Sequence, residues 1–341
     1  MARAPARGQR VPGGWRVRGG QRTARTVRYP CRVPAAPSPR APLLLATGLT
    51  KSLGGKVVVD GVDLACHAGE VLGLLGPNGA GKTTSLRMCY GFLRPDRGSV
   101  TVAGHDLSAA PDLARRALGV CTQDETFDPD FTVRGNLQQT GRYYRPRIEG
   151  LDARIDALLE RFELTEHAAK TPEQLSGGLK RRLMIARAVL HDPKVVFLDE
   201  PTTGLDPEAR RVVWELVAGL REAGMAVVLT THYMEEAERL SDRLIVLQGG
   251  RIRASGAPRG VLGDVVGEHI VVLSQANVAP GLEAWFTQQG ALATRVLAEV
   301  HVPLDAAGLA AFVAAYPELR FEVRVPTLDD LFVALARERR A

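Results

Sequence analysis

The sequence predicts an α/β fold: a largely parallel sheet between helices, interrupted by a helical insertion and followed by a smaller α+β unit. Three observations carry this. Short β-type runs alternate with helical patterns from Leu43 to about Arg253. Two runs, 195–198 and 226–229, are apolar without alternation, as strands covered on both faces are. A third run, 71–75, leads into a glycine-rich loop that opens a helical pattern, the strand–loop–helix order of a phosphate-binding unit.

In chain order, the first forty-two residues hold ten arginines and no acid, with many Pro and Gly and no apolar period. Residues 1–42 are therefore expected to be a disordered basic tail. It could serve as an arm for anionic lipid or nucleic acid, as an organellar transit peptide, or be a translated stretch ahead of the true start. Of the net charge of +6, the tail carries +10, leaving the rest at −4, so no nucleic-acid-binding fold is expected.

The β-type runs of the main domain, 43–254, are 56–59, 71–75, 99–102, 118–122, 195–199, 226–231 and 243–247. Between Gln123 and Leu175 they stop, and helical patterns define an insertion at about 124–190. Its clearest stripe is Leu151, Ile155, Leu158, Leu159 and Phe162. After Ser255-Gly256-Ala257-Pro258 the small α+β unit, 259–341, begins, with β-type runs 269–273 and 320–325. It ends in a helix over 327–336, opened by a capping box of Thr327 and Asp330. Cys31, Cys66, Cys89 and Cys121 have neither zinc-site nor redox-pair spacing, so no zinc is expected and a reducing compartment suits them. No run approaches the roughly eighteen apolar residues of a membrane helix, so any membrane role is expected to come through a partner.

The loop Gly76-Pro77-Asn78-Gly79-Ala80-Gly81-Lys82-Thr83-Thr84 fits G-x-x-x-x-G-K-[ST]. Its glycines let backbone N–H groups converge on phosphate oxygens, and the following helix adds its positive end. Lys82 is expected to reach the β- and γ-phosphates, and Thr83 to offer its hydroxyl to Mg²⁺. Run 195–199 ends in Asp199-Glu200, which strand pleating is expected to point to opposite sides. Asp199 then suits the metal and Glu200 the attacking water. His232 follows run 226–231 onto the same edge of the sheet and is expected to contact the γ-phosphate. Gln123 follows run 118–122 there and could reach the metal or the water through its amide oxygen. Ser176 is a natural N-cap for a helix whose Gly177 and Gly178 leave first-turn N–H groups bare; this is a second anion site, or simply a capped helix after a turn.

Taken together, these motifs resemble the ATP-binding cassette (ABC) family of P-loop NTPases. The order matches throughout: Gly76 to Thr84 as Walker A, Gln123 as Q-loop, Leu175-Ser176-Gly177-Gly178 as signature, residues 195–200 as Walker B, Gly204-Leu205-Asp206-Pro207 as D-loop and His232 as switch histidine. The resemblance implies an ABC ATPase domain with an antiparallel β subdomain. It also implies ATP and Mg²⁺ as ligands and a head-to-tail dimer of two copies. Ser176 and Gly178 of one copy would then touch ATP held by the Walker A of the other, and Asp206 of the D-loop would count among the nucleotide-binding residues.

Residues 130–134, 175–182, 230–240 and 326–330 are similar to the exporter branch that includes nodulation-factor (lipo-oligosaccharide) and daunorubicin-type export ATPases. The resemblance implies ATP-driven export of a drug, lipid-linked saccharide or similar amphiphile. The export path would be a separate integral membrane permease, with this chain peripheral at the cytoplasmic face of the membrane. Alternatives are a soluble non-transport ABC ATPase or an importer subunit. Two positions depart from the family's habit: Leu53 stands where an aromatic residue stacks on adenine, and Gly135 where the helix capped by Thr132 tends to carry Glu.

Overall fold

A computed structural model describes residues 41–278, 281–291 and 293–338. The expected basic tail lies outside the described residues except for Ala41 and Pro42, and Cys31 lies outside them altogether.

The elements run β1 (Leu44–Leu53), β2 (Lys56–Cys66), β3 (Val71–Leu75), α1 (Lys82–Cys89), β4 (Arg97–Val102), β5 (His105–Asp106), α2 (Pro111–Arg116), β6 (Leu118–Cys121), α3 (Val133–Tyr143), α4 (Leu151–Arg161) and α5 (Gly177–Ala188). They continue with β7 (Val195–Asp199), α6 (Pro207–Glu222), β8 (Ala226–Thr230), α7 (Met234–Leu240), β9 (Arg243–Gln248), β10 (Arg251–Gly256) and α8 (Pro258–Val265). The last are β11 (His269–Ser274), α9 (Leu282–Gln288), β12 (Thr294–Val296), β13 (Glu299–Leu304), α10 (Ala306–Ala315), β14 (Glu322–Arg324) and α11 (Leu328–Glu338).

The central sheet has the order β10-β9-β3-β8-β7-β6, parallel except for β10. Every residue of β3, β7 and β8 is buried. That explains their unbroken apolar text, because both sheet faces are covered. One face meets the helical insertion and α6 through Leu183, Ile185, Val196, Leu198, Val213 and Leu229. The other meets α1 and the antiparallel sheet β2-β1-β4-β5 through Leu49, Val59, Leu72, Leu86, Phe197 and Val228.

In the insertion, Ile155, Leu158, Leu159 and Phe162 are buried and Leu151 lies partly buried against the same core. Thr132 caps α3 by accepting from Gly135 N–H at 3.1 Å.

The third sheet, β12-β13-β11-β14, is antiparallel and carries α9 and α10 on one face, around Val271, Leu273, Phe286, Val300, Val302 and Phe312. The chain does not end there. α8 and α11 return to the central sheet, where Val261, Leu262, Leu328, Leu331 and Leu335 join Leu75, Ala237, Leu244 and Val246. Leu328 N–H donates to Glu238 of α7 at 2.8 Å, and Gln248 at the end of β9 donates to the Leu335 carbonyl at 2.9 Å. Residues grouped by sequence with the small unit therefore close the core behind the phosphate loop, because α11 turns its apolar stripe onto β3, β9 and α7. Around its start, Arg324 grips Asp330 with two bonds of 2.7 and 2.8 Å, and Asp330 accepts from Thr327 N–H at 2.8 Å.

Candidate nucleotide site

The strands β3, β6, β7 and β8 run parallel and in register, with Cys121 beside Leu198, Leu198 beside Leu229 and Leu74 beside Thr230. Their C-terminal ends therefore stop at one edge, and the segments that leave them meet there.

The phosphate loop bridges β3 and α1. Gly76 has φ 150°, and a Cβ there would sit 2.3 Å from the Leu247 carbonyl oxygen. Gly81, the N-cap of α1, has φ 101°, and its Cβ would meet the Val58 oxygen at 2.8 Å. Both positions require glycine. Among the described residues no side chain caps α1, so the N–H groups of its first turn are left free for an anion in the loop. The Lys82 ammonium, largely buried, donates to the carbonyls of Gly76 at 2.7 Å and Pro77 at 3.3 Å. Burial pushes its pKa down, while the negative charges of Glu200 and Asp199 push it up. Thr83 and Thr84 are partly buried beside it, whereas Asn78 and Gly79 are exposed and Ala80 is buried.

Asp199 closes β7, 7% exposed, and accepts a bond from the Thr230 hydroxyl at 2.5 Å. Burial pushes its carboxyl pKa up and the Thr230 bond opposes that shift. Glu200 departs from the pleat expected of it. It stands past the strand at φ 49°, in the left-handed region, with its N–H 3.1 Å from the Thr230 hydroxyl oxygen. A turn, and not strand alternation, therefore aims its side chain. Glu200 Oε2 lies 3.4 Å from Gln123 Nε2, 3.1 Å from the Thr203 hydroxyl and 3.3 Å from His232 Nδ1. The structure thus gathers Gln123, Glu200 and His232 around one carboxylate oxygen. With the Gln123 NH₂ committed to Glu200, its amide oxygen is left to face a metal or a water.

Ser176, Gly178 and Asp206 form a second group. Ser176 caps α5 by accepting from Leu179 N–H at 3.4 Å, and Asp206 caps α6 by accepting from Ala209 N–H at 2.8 Å. The two helix starts touch, since a Cβ on Gly178 would lie 2.9 Å from Ala209 Cβ. Among the described residues no hydrogen bond joins Ser176 or Asp206 to the phosphate loop or Glu200. From α5, Arg181 donates to the Thr122 carbonyl at 3.1 Å, Lys180 pairs with Glu125 at 2.9 Å and Arg187 holds Thr126. The segment carrying Gln123 is thereby pinned to the helix that Ser176 caps.

Three residues at this edge escape a reading of the sequence: Thr230, Arg181 and Glu236. A polar residue closing an apolar strand is the only signal for Thr230, and Arg181 lies within a basic triplet that looks solvated. For a divalent cation the available donors are the Thr83 hydroxyl, the Gln123 amide oxygen and the Asp199 carboxylate. This all-oxygen set fits Mg²⁺. Among the described residues no group of three or more His, Cys, Asp or Glu is placed to hold a metal, and no helix is long and apolar enough to cross a membrane.

A cavity of about 300 Å³ beside Arg116, Tyr144, Arg147, Arg154 and His191 is a different place. Arg116 and His191 precede β6 and β7, whereas Gln123 and Glu200 follow them, so this cavity lies at the opposite strand ends.

Phosphate loop, acidic strand end and capped signature helix together define an ATP-binding cassette. The ABC transporter family profile matches residues 59–203, and the chain belongs to that family. It is 41% identical over 291 residues to Nod factor export ATP-binding protein I of Rhizobium johnstonii, an alignment spanning 84% of this chain and 93% of the relative. The protein of the same name from Rhizobium meliloti is 42% identical over 289 residues, 84% of this chain and 86% of the relative. Among solved structures, the ATP-binding subunit of an ABC transporter superposes with a TM-score of 0.59 at 29% identity, covering 65% of this chain and 91% of that one. An ATP-binding cassette in its ADP conformation gives 0.60 at 25%, covering 66% and 95%. ATP is accordingly the nucleotide of this family's phosphate loop.

Proposed function

We propose that the chain is the ATP-hydrolysing subunit of an exporter, with Glu200 activating the attacking water. The observation that carries this is the convergence of Gln123 and His232 on Glu200 Oε2, at the sheet edge shared with the phosphate loop.

The loop from Gly76 to Thr84 receives the phosphates through its N–H groups, and Lys82 leaves its carbonyl partners for the β- and γ-oxygens. Thr83, Gln123 and Asp199 would hold Mg²⁺, which draws charge from the γ-phosphate when bound. Glu200 accepts a proton from the water, His232 orients the γ-phosphate, and Gln123 positions the water or the metal. Ser176 and Gly178 complete the site of a second copy, where bare first-turn N–H groups meet the γ-phosphate, and Asp206 lies at the same contact. The export role rests on the name of the relatives. It implies an amphiphilic cargo, such as a lipid-linked saccharide or a drug, and a separate membrane permease that holds this chain at the cytoplasmic face of the membrane.

Purified wild-type protein should turn over ATP, and Glu200→Gln should lose at least ~100-fold in kcat while its ATP affinity stays within ~3-fold. Undiminished turnover in the variant refutes the role of Glu200. Recovery of the chain from cells with an integral membrane protein supports export; recovery with ribosomes or DNA refutes it.

A further inference from the structure

Glu236 is fully buried, yet the hydrolytic scheme does not use it. It lies in α7, one turn after His232, and its Oε1 accepts the Trp214 indole N–H at 3.0 Å. Its carboxylate also faces the hydroxyls of Thr231 and Thr202 and the charge of Arg210, all of which oppose the upward pull of burial on its pKa. Its Oε2 and the Thr202 hydroxyl, both buried, lack hydrogen-bond partners among the described residues.

These neighbours belong to three functional segments. Thr202 is two residues past Glu200 and four before Asp206. Thr231 immediately precedes His232, and its hydroxyl accepts from Tyr233 N–H at 2.9 Å. Trp214 and Arg210 lie on α6, the helix Asp206 caps, and the Arg210 guanidinium covers the Tyr233 ring at 4.1 Å. A buried carboxylate is a poor choice for stability alone, since an apolar residue of similar volume is often neutral or better. It does fix hydrogen-bonding groups relative to one another in a low-dielectric interior.

We propose that Glu236 is a positioning residue for hydrolysis: it ties α6 to the Thr231–His232 segment, so that a displacement of Asp206 by a second copy reaches the switch histidine. The inference rests on the hydrolytic reading of the site.

The test compares the full-length wild type, Glu236→Leu, Glu236→Gln, His232→Ala and the double variant Glu236→Leu/His232→Ala. The readouts are kcat, KM for ATP, binding of a fluorescent ATP analogue and thermal midpoint. Glu236→Leu should fold and bind nucleotide like wild type but lose ~10-fold or more in kcat, with KM within ~3-fold, because a small displacement of a reacting group is enough for such a loss. Glu236→Gln, which still accepts the indole N–H, should recover to within ~3-fold. In the His232→Ala background, Glu236→Leu should cost nothing more, because a residue acting through His232 has nothing left to position.

Undiminished kcat in Glu236→Leu, a loss that Gln does not rescue, or effects that multiply with His232→Ala would each overturn the proposal. Should the Leu variant not fold, Trp214→Phe removes the same bond from the other side and carries the same expectations. A wild type without turnover overturns both readings; a wild type that turns over beside an unaffected Glu236→Leu overturns only this one.

Discussion

Acidification should weaken the seam between the helical insertion and the central sheet, and His191 sets the size of the effect. Its Nε2 donates to the Leu118 carbonyl at 2.8 Å, and its ring stacks on Tyr144 at 4.1 Å between centroids. Nδ1 is buried and has no hydrogen-bond partner among the described residues, so a proton there is poorly accommodated. Burial lowers the pKa from 6.5 to about 4, with the Arg154 charge adding to the shift. The native state thus refuses a proton that the unfolded chain accepts. Stability from this group is whole above the unfolded value of 6.5, falls as pH drops below it, and stops falling near 4, where the native ring also protonates. The interval corresponds to about 3 kcal/mol at ~1.4 kcal/mol per unit. His191→Gln keeps a donor for Leu118 but does not titrate. In urea unfolding at about pH 7 and about pH 4.5, the stability of wild type relative to His191→Gln should drop by roughly 2–3 kcal/mol on acidification. Carboxylates titrating in the same window act on both proteins and cancel. Parallel pH profiles would mean that His191 is not the group that titrates here.

Other consequences follow from the same structure. Lys82→Met removes a buried ammonium, so it should keep or slightly raise the thermal midpoint while weakening ATP binding ~10–100-fold, as read by fluorescent-nucleotide titration. Tight binding by this variant would contradict the placement of the phosphates. Leu331→Ala should cost about 2–4 kcal/mol in denaturant unfolding, because Leu331 is fully buried against β3, β9 and α7. A cost under ~1 kcal/mol would mean that α11 is not part of the shared core.

Where one physical signal acted alone, the sequence was readable. The buried strands β3 and β7 need only apolar text, and their bounds match the runs read from it. β1 was hidden because its ladder is irregular: register shifts fall between Ala46 and Leu49 and again by Ser52, breaking the two-residue period. β13 carries clean alternation at Val300, Val302 and Leu304, yet Pro303 argues against a strand. The proline is tolerated because β12 pairs no further along β13 than His301. At the site, the shared strand edge foretold that Gln123, Glu200 and His232 would be neighbours. The left-handed turn at Glu200 was not legible, since it depends on the Thr230 hydroxyl from the adjacent strand. Nor was Glu236, whose importance comes from Thr202, Trp214 and Thr231 arriving from three separate segments.

On the proposed function, the phosphate loop is half a site, completed by Ser176 and Gly178 of a second copy. Light scattering of Glu200→Gln protein at saturating ATP and Mg²⁺ tests it directly. Mass should double on nucleotide addition, and Ser176→Arg in the same chain should abolish the doubling without loss of ATP binding. A protein that remains monomeric while fully occupied by ATP, or a dimer indifferent to Ser176→Arg, would contradict it.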